Sequence, residues 1–407
     1  MQSADPIWGS KPRLSVVHDQ DTPPLVLRPA RLPDPHTIPP RQWLYGTQLL
    51  RGFVTVLVAP GGTGKSIYAM TVAVSCVLGR GLLRDHVFAC TNAAVLNLED
   101  PLDELDRRLA AILLQHNVDE TDVAGGLFMH SGEDRPVTMA AISEDGFSII
   151  HPDEVALIEQ IKMHEIGVLV VDPFAESHSL EENSNPQMVK AAAAWRRVAR
   201  ATNCAIFLIH HVRKGAVSDI DAARGAKGLT DSARVGLIMS PMGEDDGKDL
   251  AIAPEDRWQY VRLDNAKANM APRGNKATWL KLEQVKLGNG TQDYPNGDTV
   301  AAMVAWDPPK VTDTLSVDQC NEVLDAIADG PGEGVRYTHS RRGKDASRWA
   351  GTVLVRLFGL TDLESDKVIE TWVRNGVLVR DTYRDPVQRK DRMCVRVVDA
   401  KRPGPVS

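Results

Sequence analysis

No apolar run in the 407-residue chain reaches the length of a membrane-crossing helix, which takes ~18 residues or more. The opening stretch, MQSADPIWGSKPRLS, has none of the apolar core of a secretory signal, so a cytoplasmic protein without membrane association is expected. Only five cysteines occur, Cys76, Cys90, Cys204, Cys320 and Cys394, and no two form a C-x-x-C pair. That spacing excludes the usual zinc and dithiol motifs and fits a reducing compartment. There is no repeat of fixed period and no low-complexity tract. With 43% hydrophobic and 25% charged residues, the chain is also far from the composition of a disordered protein.

Length alone sets a soft expectation of two to three domains at ~150 residues each. The net charge of −7 is unevenly spread. Residues 331–407 hold 16 Lys and Arg against 10 Asp and Glu, an excess of six that leaves −13 on the remainder. A basic C-terminal unit on an acidic body points to a polyanionic partner, with a solvated basic face as the alternative.

Residues 1–40 carry nine of the 25 prolines and no periodicity, and read as an extended leader. From Phe53 onward, short continuous apolar runs appear: 54-VTVLVAP, 94-AVLNLED, 167-GVLVVDP and 205-AIFLIHH. Such runs predict strands buried on both faces. Helical patterns at 65-KSIYAMTVAVSCVLG, 101-PLDELDRRLAAILLQ and 186-PQMVKAAAAWRRVARAT alternate with them. The class is therefore α/β, a three-layer core with a mostly parallel central sheet spanning 41–308. Strand-rich runs at 233-ARVGLIMS, 259-QYVRLDNAK, 277-ATWLKLEQVKLG and 299-TVAAMVAWD are expected to extend that sheet with antiparallel strands. A linker at 309–316 leads to a unit at 317–400, where three helical patterns (317–329, 345–358, 362–375) precede a hairpin. That order predicts a winged-helix-like domain, followed by a tail at 401–407.

The strongest chemical signal is 59-APGGTGKS, directly after an apolar strand and directly before a helix. Glycines in the loop let backbone amides turn inward on phosphate oxygens, and the helix N-terminus adds a favourable dipole. Gly61, Gly62, Thr63, Gly64, Lys65, Ser66 and Ile67 are the expected phosphate-binding set. Lys65 would reach the β and γ phosphates of ATP, and Ser66 would ligate Mg2+. Ala59 stands where the strict pattern has glycine.

Hydrolysis also needs an acid to hold Mg2+ through water and a base for the attacking water. Asp172, at the end of 167-GVLVVDP, suits the first role, and Glu99, at the end of 95-VLNLE, the second. Asp100 is the other candidate base, and helix capping is the plain alternative for both residues. His210, ending a third strand, is expected to sense the γ phosphate and signal to the loop at 212–230. Arg213, Lys214, Arg224 and Lys227 in that loop suit contact with a phosphate backbone, an ordinary solvated loop being the alternative. Trp43 and Tyr45 could stack on adenine or simply pack.

Together, 59-APGGTGKS, 98-LEDPLDELDRRL, 168-VLVVDPF with Glu182-Asn183, 209-IHHVRKG, 224-RGAKGLTDSAR and 265-NAKAN resemble the RepA-type branch of RecA-like hexameric ATPases, the replicative helicases of plasmids, phages and mobile elements. The resemblance covers about residues 40–308. It implies a homo-oligomeric ring, usually a hexamer, with ATP between subunits and single-stranded DNA in the channel. It further implies Arg234 as a finger into the neighbouring site and Lys267 as a nucleotide contact, with Asn269 where relatives more often carry a second arginine.

In the last unit, a capping box, Thr361 and Glu364, opens a third helix that would bury Val368, Ile369, Trp372 and Val373. Its exposed face holds Asp362, Asp366 and Glu370, a poor reader of the major groove. Any DNA contact would instead come from the hairpin, through Arg389, Lys390 and Arg392. The function expected is thus a DNA-dependent ATPase, a ring helicase or translocase with a possible replication-initiation partner. A recombination-filament ATPase and a nucleotide-switched DNA-binding regulator are the alternatives.

Overall fold

The computed structural model describes residues 26–27, 29–30, 33–144, 146, 148–182, 184–212, 227–250, 252–268, 270, 277–308, 315–341 and 346–402. The chain divides into two units, Met1–Arg41 and Gln42–Ser407. In the first, the described residues are exposed and form one short turn, Pro35–Thr37. The Asp34 carboxylate closes that turn by accepting the His36 amide at 2.9 Å.

In the second unit, nine strands form one sheet: β1 (Val54–Pro60), β2 (Asn92–Asn97), β3 (Leu127–Ser131), β4 (Ile166–Asp172), β5 (Ala205–Val212), β6 (Val235–Pro241), β7 (Tyr260–Ala268), β8 (Thr278–Lys286) and β9 (Thr299–Ala305). Their order is β9-β8-β7-β6-β1-β5-β4-β2-β3. The six strands from β6 to β3 run parallel, while β7, β8 and β9 add antiparallel to the β6 edge, as the sequence predicts.

All seven residues of β1 and of β4 are buried, because helices cover both faces of the sheet. On one face lie α1 (Lys65–Leu78) and α2 (Leu102–His116), packed on Leu57, Val170, Phe207 and Ile209. On the other lie α3 (Glu154–Met163), α4 (Asn185–Thr202) and α5 (Lys227–Ser232), packed on Val56, Val171, Ile206 and Leu208. A strand apolar on both sides leaves no period-two trace, which is why β1 and β4 read as unbroken runs. The antiparallel strands also fold onto α2, where His116 Nε2 meets the Met303 carbonyl at 2.9 Å. No helix among the described residues is long and apolar enough to cross a membrane.

The C-terminal residues form α6 (Val317–Asp329), α7 (Gly351–Phe358), α8 (Asp362–Arg374) and a hairpin of β10 (Leu378–Arg384) and β11 (Asp391–Val397) around their own core. Capping boxes open α6 (Ser316, Gln319) and α8 (Thr361, Glu364). In α8, Val368, Ile369 and Trp372 are buried as expected, and Val373 is half-buried. The second helix starts later than the 345–358 pattern predicts, and among the described residues the reason is Trp349. Its backbone is held by Thr338, whose amide donates to the Arg348 carbonyl at 2.7 Å and whose own carbonyl accepts from the Ala350 amide at 2.8 Å. The buried indole then packs against Gly351, so the helix begins past it.

Candidate nucleotide-binding site

The carboxyl ends of β1, β5, β4 and β2 lie side by side at one edge of the sheet, the edge where α/β folds hold their ligands. The phosphate loop leaves β1 there. Gly62 (φ 80°) and Gly64 (φ 78°) take left-handed backbone that other residues rarely adopt, and Gly64 is the N-cap of α1. A Cβ on Gly64 would come within 2.9 Å of both Leu282 Cδ2 and Met303 Cε, so the antiparallel strands press on the loop. The space where a Cβ on Gly61 or Gly62 would point is open. The Thr63 hydroxyl donates to the Pro60 carbonyl at 2.9 Å and closes the curl, while the Ile67 side chain packs into the core beneath it.

Lys65 is buried. Desolvation lowers its pKa, and the carboxylates of Asp172 and Glu99 oppose that shift. Asp172 ends β4, 3% exposed, with its pKa raised by desolvation against the Ser66 hydrogen bond and the Lys65 charge. Its Oδ1 is buried without a hydrogen-bond partner among the described residues. An acceptor left open beside the Ser66 hydroxyl has the oxygen chemistry that Mg2+ requires, so Ser66 and Asp172 fit a Mg2+ site.

Glu99 and Asp100 follow β2 and are separated by their surroundings. Asn97 Oδ1 accepts both backbone amides, from Glu99 at 3.0 Å and from Asp100 at 2.7 Å. Arg108 on α2 then takes the Asp100 carboxylate at 2.7 Å. Glu99 makes no such pair and points back at the site, with Oε2 3.9 Å from His211 Nε2. Partial desolvation and the nearby Asp172 charge raise its pKa, the condition of a base held near a second carboxylate.

One expectation is corrected by register. β1 and β5 pair with Val58 beside His210 and Ala59 beside His211, and strand neighbours face opposite sides. His211, not His210, therefore lies on the face of α1, where Lys65 and Asp172 act on it. His210 turns to the other face, 7% exposed, against the rings of Phe174 and, one residue group further, His178. Burial, with His211 and His178 nearby, brings its pKa down to about 4, so the ring is neutral near pH 7.

Arg234 precedes β6 at the opposite edge of the sheet, where its amide donates to the Val54 carbonyl at 3.2 Å. Lys267 on β7 lies at the same edge, paired with Gly236. Its ammonium donates to the Thr230 and Asp231 carbonyls at 3.0 and 2.9 Å. It anchors the end of α5 and stays remote from its own subunit's phosphate loop. Asn183, Arg213, Lys214, Arg224 and Asn269 lie outside the described residues, as does the side chain of Lys227. On the hairpin, Arg389 and Lys390 are exposed, whereas Arg392 is half-buried with Nη1 3.9 Å from the buried Asp385. Tyr45 is wholly buried and so unavailable to stack on a base, while Trp43 is partly buried against the same core.

Sequence reading missed Asn97 and Arg108, which divide the roles of Glu99 and Asp100. An Asn two residues ahead of the acid and an Arg eight residues after Asp100, two turns into the helix that follows, were the available signals. It also missed Gln48, which accepts from the Tyr68 hydroxyl at 2.5 Å and donates to Asp85 at 2.9 Å, fixing α1 from behind.

Residues 22–217 match the AAA_25 family model, described as an AAA domain, a stretch that includes the phosphate loop, Glu99, Asp172 and both histidines. Among solved structures the chain is similar to a KaiC-like protein of the hyperthermophilic archaeon Pyrococcus horikoshii OT3, at 13% identity and a TM-score of 0.41, over 66% of this chain and 100% of that one. Residues 22–217 are thus similar to an AAA domain, and the phosphate loop on a central parallel strand with acids on neighbouring strand ends has the geometry of a nucleotide-binding site.

Proposed function

We propose that the chain is a DNA-dependent ATPase, a ring-shaped helicase or translocase of a plasmid, phage or mobile element that hydrolyses ATP between subunits. The observation that carries this reading is the division of the charged groups between two edges of one sheet. Lys65, Ser66, Asp172, Glu99 and His211 gather at one edge, while Arg234 stands at the other with no role in its own subunit's site.

Bound Mg2+ would neutralise phosphate charge, held by Ser66 and Asp172. Lys65, nearly dehydrated, supplies a cation that is stronger on phosphate oxygens than it would be in water. Glu99 Oε accepts the proton of the attacking water, and His211 at 3.9 Å is placed to register whether that carboxylate is engaged. Arg234 of one copy would neutralise the charge developing in the site of the next, which a head-to-tail, closing interface allows.

The test is assembly. Mass photometry with a non-hydrolysable ATP analogue and a single-stranded oligonucleotide should give one closed stoichiometry that encloses the strand. A protein that stays monomeric under these conditions contradicts the ring.

A further inference from the structure

Three arginines converge on one recess at the sheet edge opposite the phosphate loop. Arg196 and Arg200, one turn apart in the second half of α4, and Arg234 before β6 line a cavity of ~160 Å3 with Ser232 and Asp231. Arg196 is half-buried, and its pKa is lowered by desolvation and by the charges of Arg200, Arg234 and Arg197. Like charges brought this close are unfavourable unless something between them answers the charge.

Among the described residues no carboxylate is ion-paired with any of the three. Arg197, the fourth arginine of the cluster, is taken by Glu154 at 2.5 and 2.7 Å. Among the described residues, Asp231 is the one acid that lines the recess. Its charge acts on Lys267.

We propose that Arg196, Arg200 and Arg234 form a second phosphate-binding site, whose ligand is the terminal phosphate of a nucleotide held by a neighbouring copy of this chain. This rests on the interfacial ATPase reading above. The subunit's own nucleotide is excluded by distance, since β1 separates the two edges by roughly 20 Å at ~3.3 Å per residue. The volume of the recess suits a single phosphoryl group. A terminal phosphate also has three free oxygens to meet three guanidinium forks, where a backbone diester has two. Arg196 and Arg200 thus join Arg234 in neutralising transferred charge, so the trans contribution is a cluster.

The experiment is turnover by mixed subunits. Arg196→Ala/Arg200→Ala should lower ATP turnover at least tenfold while ATP affinity at its own phosphate loop changes less than twofold. Mixing it with equal Lys65→Ala protein, itself inactive, should restore turnover, because about one interface in four then has both halves intact. If the alanine pair fails to fold, Arg196→Lys/Arg200→Lys keeps the charge and loses the fork, and the same loss and rescue are expected. Turnover within twofold of the unmodified protein, or a loss that mixing does not restore, overturns the proposal. So does a loss of single-stranded DNA affinity with DNA-free turnover intact, which would assign the site to a nucleic-acid backbone. Arg234→Ala mixed with Lys65→Ala keeps the two readings apart. Rescue there without any effect at Arg196 and Arg200 sinks this inference alone, whereas no effect of Arg234→Ala and no assembly sinks both.

Discussion

Arg108 Nη1 lies 2.7 Å from Asp100 Oδ2, and that ion pair decides which of two adjacent acids is free to do chemistry. Asp100 is neutralised on α2, and Glu99 is left facing His211 and the phosphate loop. Glu99→Gln is expected to reduce ATP turnover by roughly 10²–10⁴-fold, the usual worth of a positioned base, with ATP binding retained. Asp100→Asn should keep turnover within about tenfold and cost about 1 kcal/mol of stability from the lost pair. Steady-state turnover and a chemical melt of both variants check this. Because the Glu99 pKa is raised, the acid limb of turnover should lie above the ordinary glutamate value of 4.5.

The two histidines should separate by assay. His211→Ala is expected to lower turnover with little change in stability. His210 acts on stability, and the sign follows from its depressed pKa. Between about 4 folded and the ordinary 6.5, the unfolded chain binds more protons, so stability is full above that window and falls as pH drops through it. The loss by pH 4 amounts to about 3 kcal/mol from this group. Urea unfolding at pH 7.5 and pH 5 should show a smaller difference for His210→Gln than for the unmodified chain.

These two cases also mark how far the sequence could be read. The loop between an apolar strand and a helix, the strand ending at Asp172 and the antiparallel additions to a parallel sheet were legible, because strand ends and glycine spacing are local. Choosing between His210 and His211 needs the register of β5 against β1. With both faces apolar, no alternation in 205-AIFLIHH records which side is which. Likewise Arg108 meets Asp100 only once α2 has turned back over the strand end. The late start of α7 depends on Trp349 pairing with Thr338, a contact no window around 345–358 contains.

Gly64 and Gly61 offer a contrast within one loop. Gly64→Ala should lose about 1–3 kcal/mol, from positive φ and from the 2.9 Å approach to Leu282 and Met303, and should weaken ATP binding at least tenfold. Gly61 has space around it, and Gly61→Ala should leave stability within about 0.5 kcal/mol. Thermal melts and fluorescent-nucleotide titrations distinguish the two.

In the C-terminal module, Asp385 accepts from Arg348, from the Tyr383 hydroxyl at 3.1 Å and from the amides of Val387 and Gln388 at 2.8 and 2.9 Å. Those amides and Arg348 hold its carboxyl well below the usual range. Asp385→Ala should lower stability by leaving the half-buried Arg348 without its carboxylate and two turn amides without their acceptor, which a urea melt reads. Arg389 and Lys390 are exposed cations in the turn of the hairpin. Their joint change to Ala should lower the salt slope of DNA binding by about two if this hairpin contacts the backbone. Unchanged affinity at low salt would remove the hairpin from the DNA path.

The most direct measurement is ATP turnover by the purified chain, with and without single-stranded DNA, against Lys65→Ala as the blank. The account predicts turnover that rises several-fold with the strand and is abolished in the variant. Turnover that persists in Lys65→Ala, or that is indifferent to DNA in the intact chain, would contradict it.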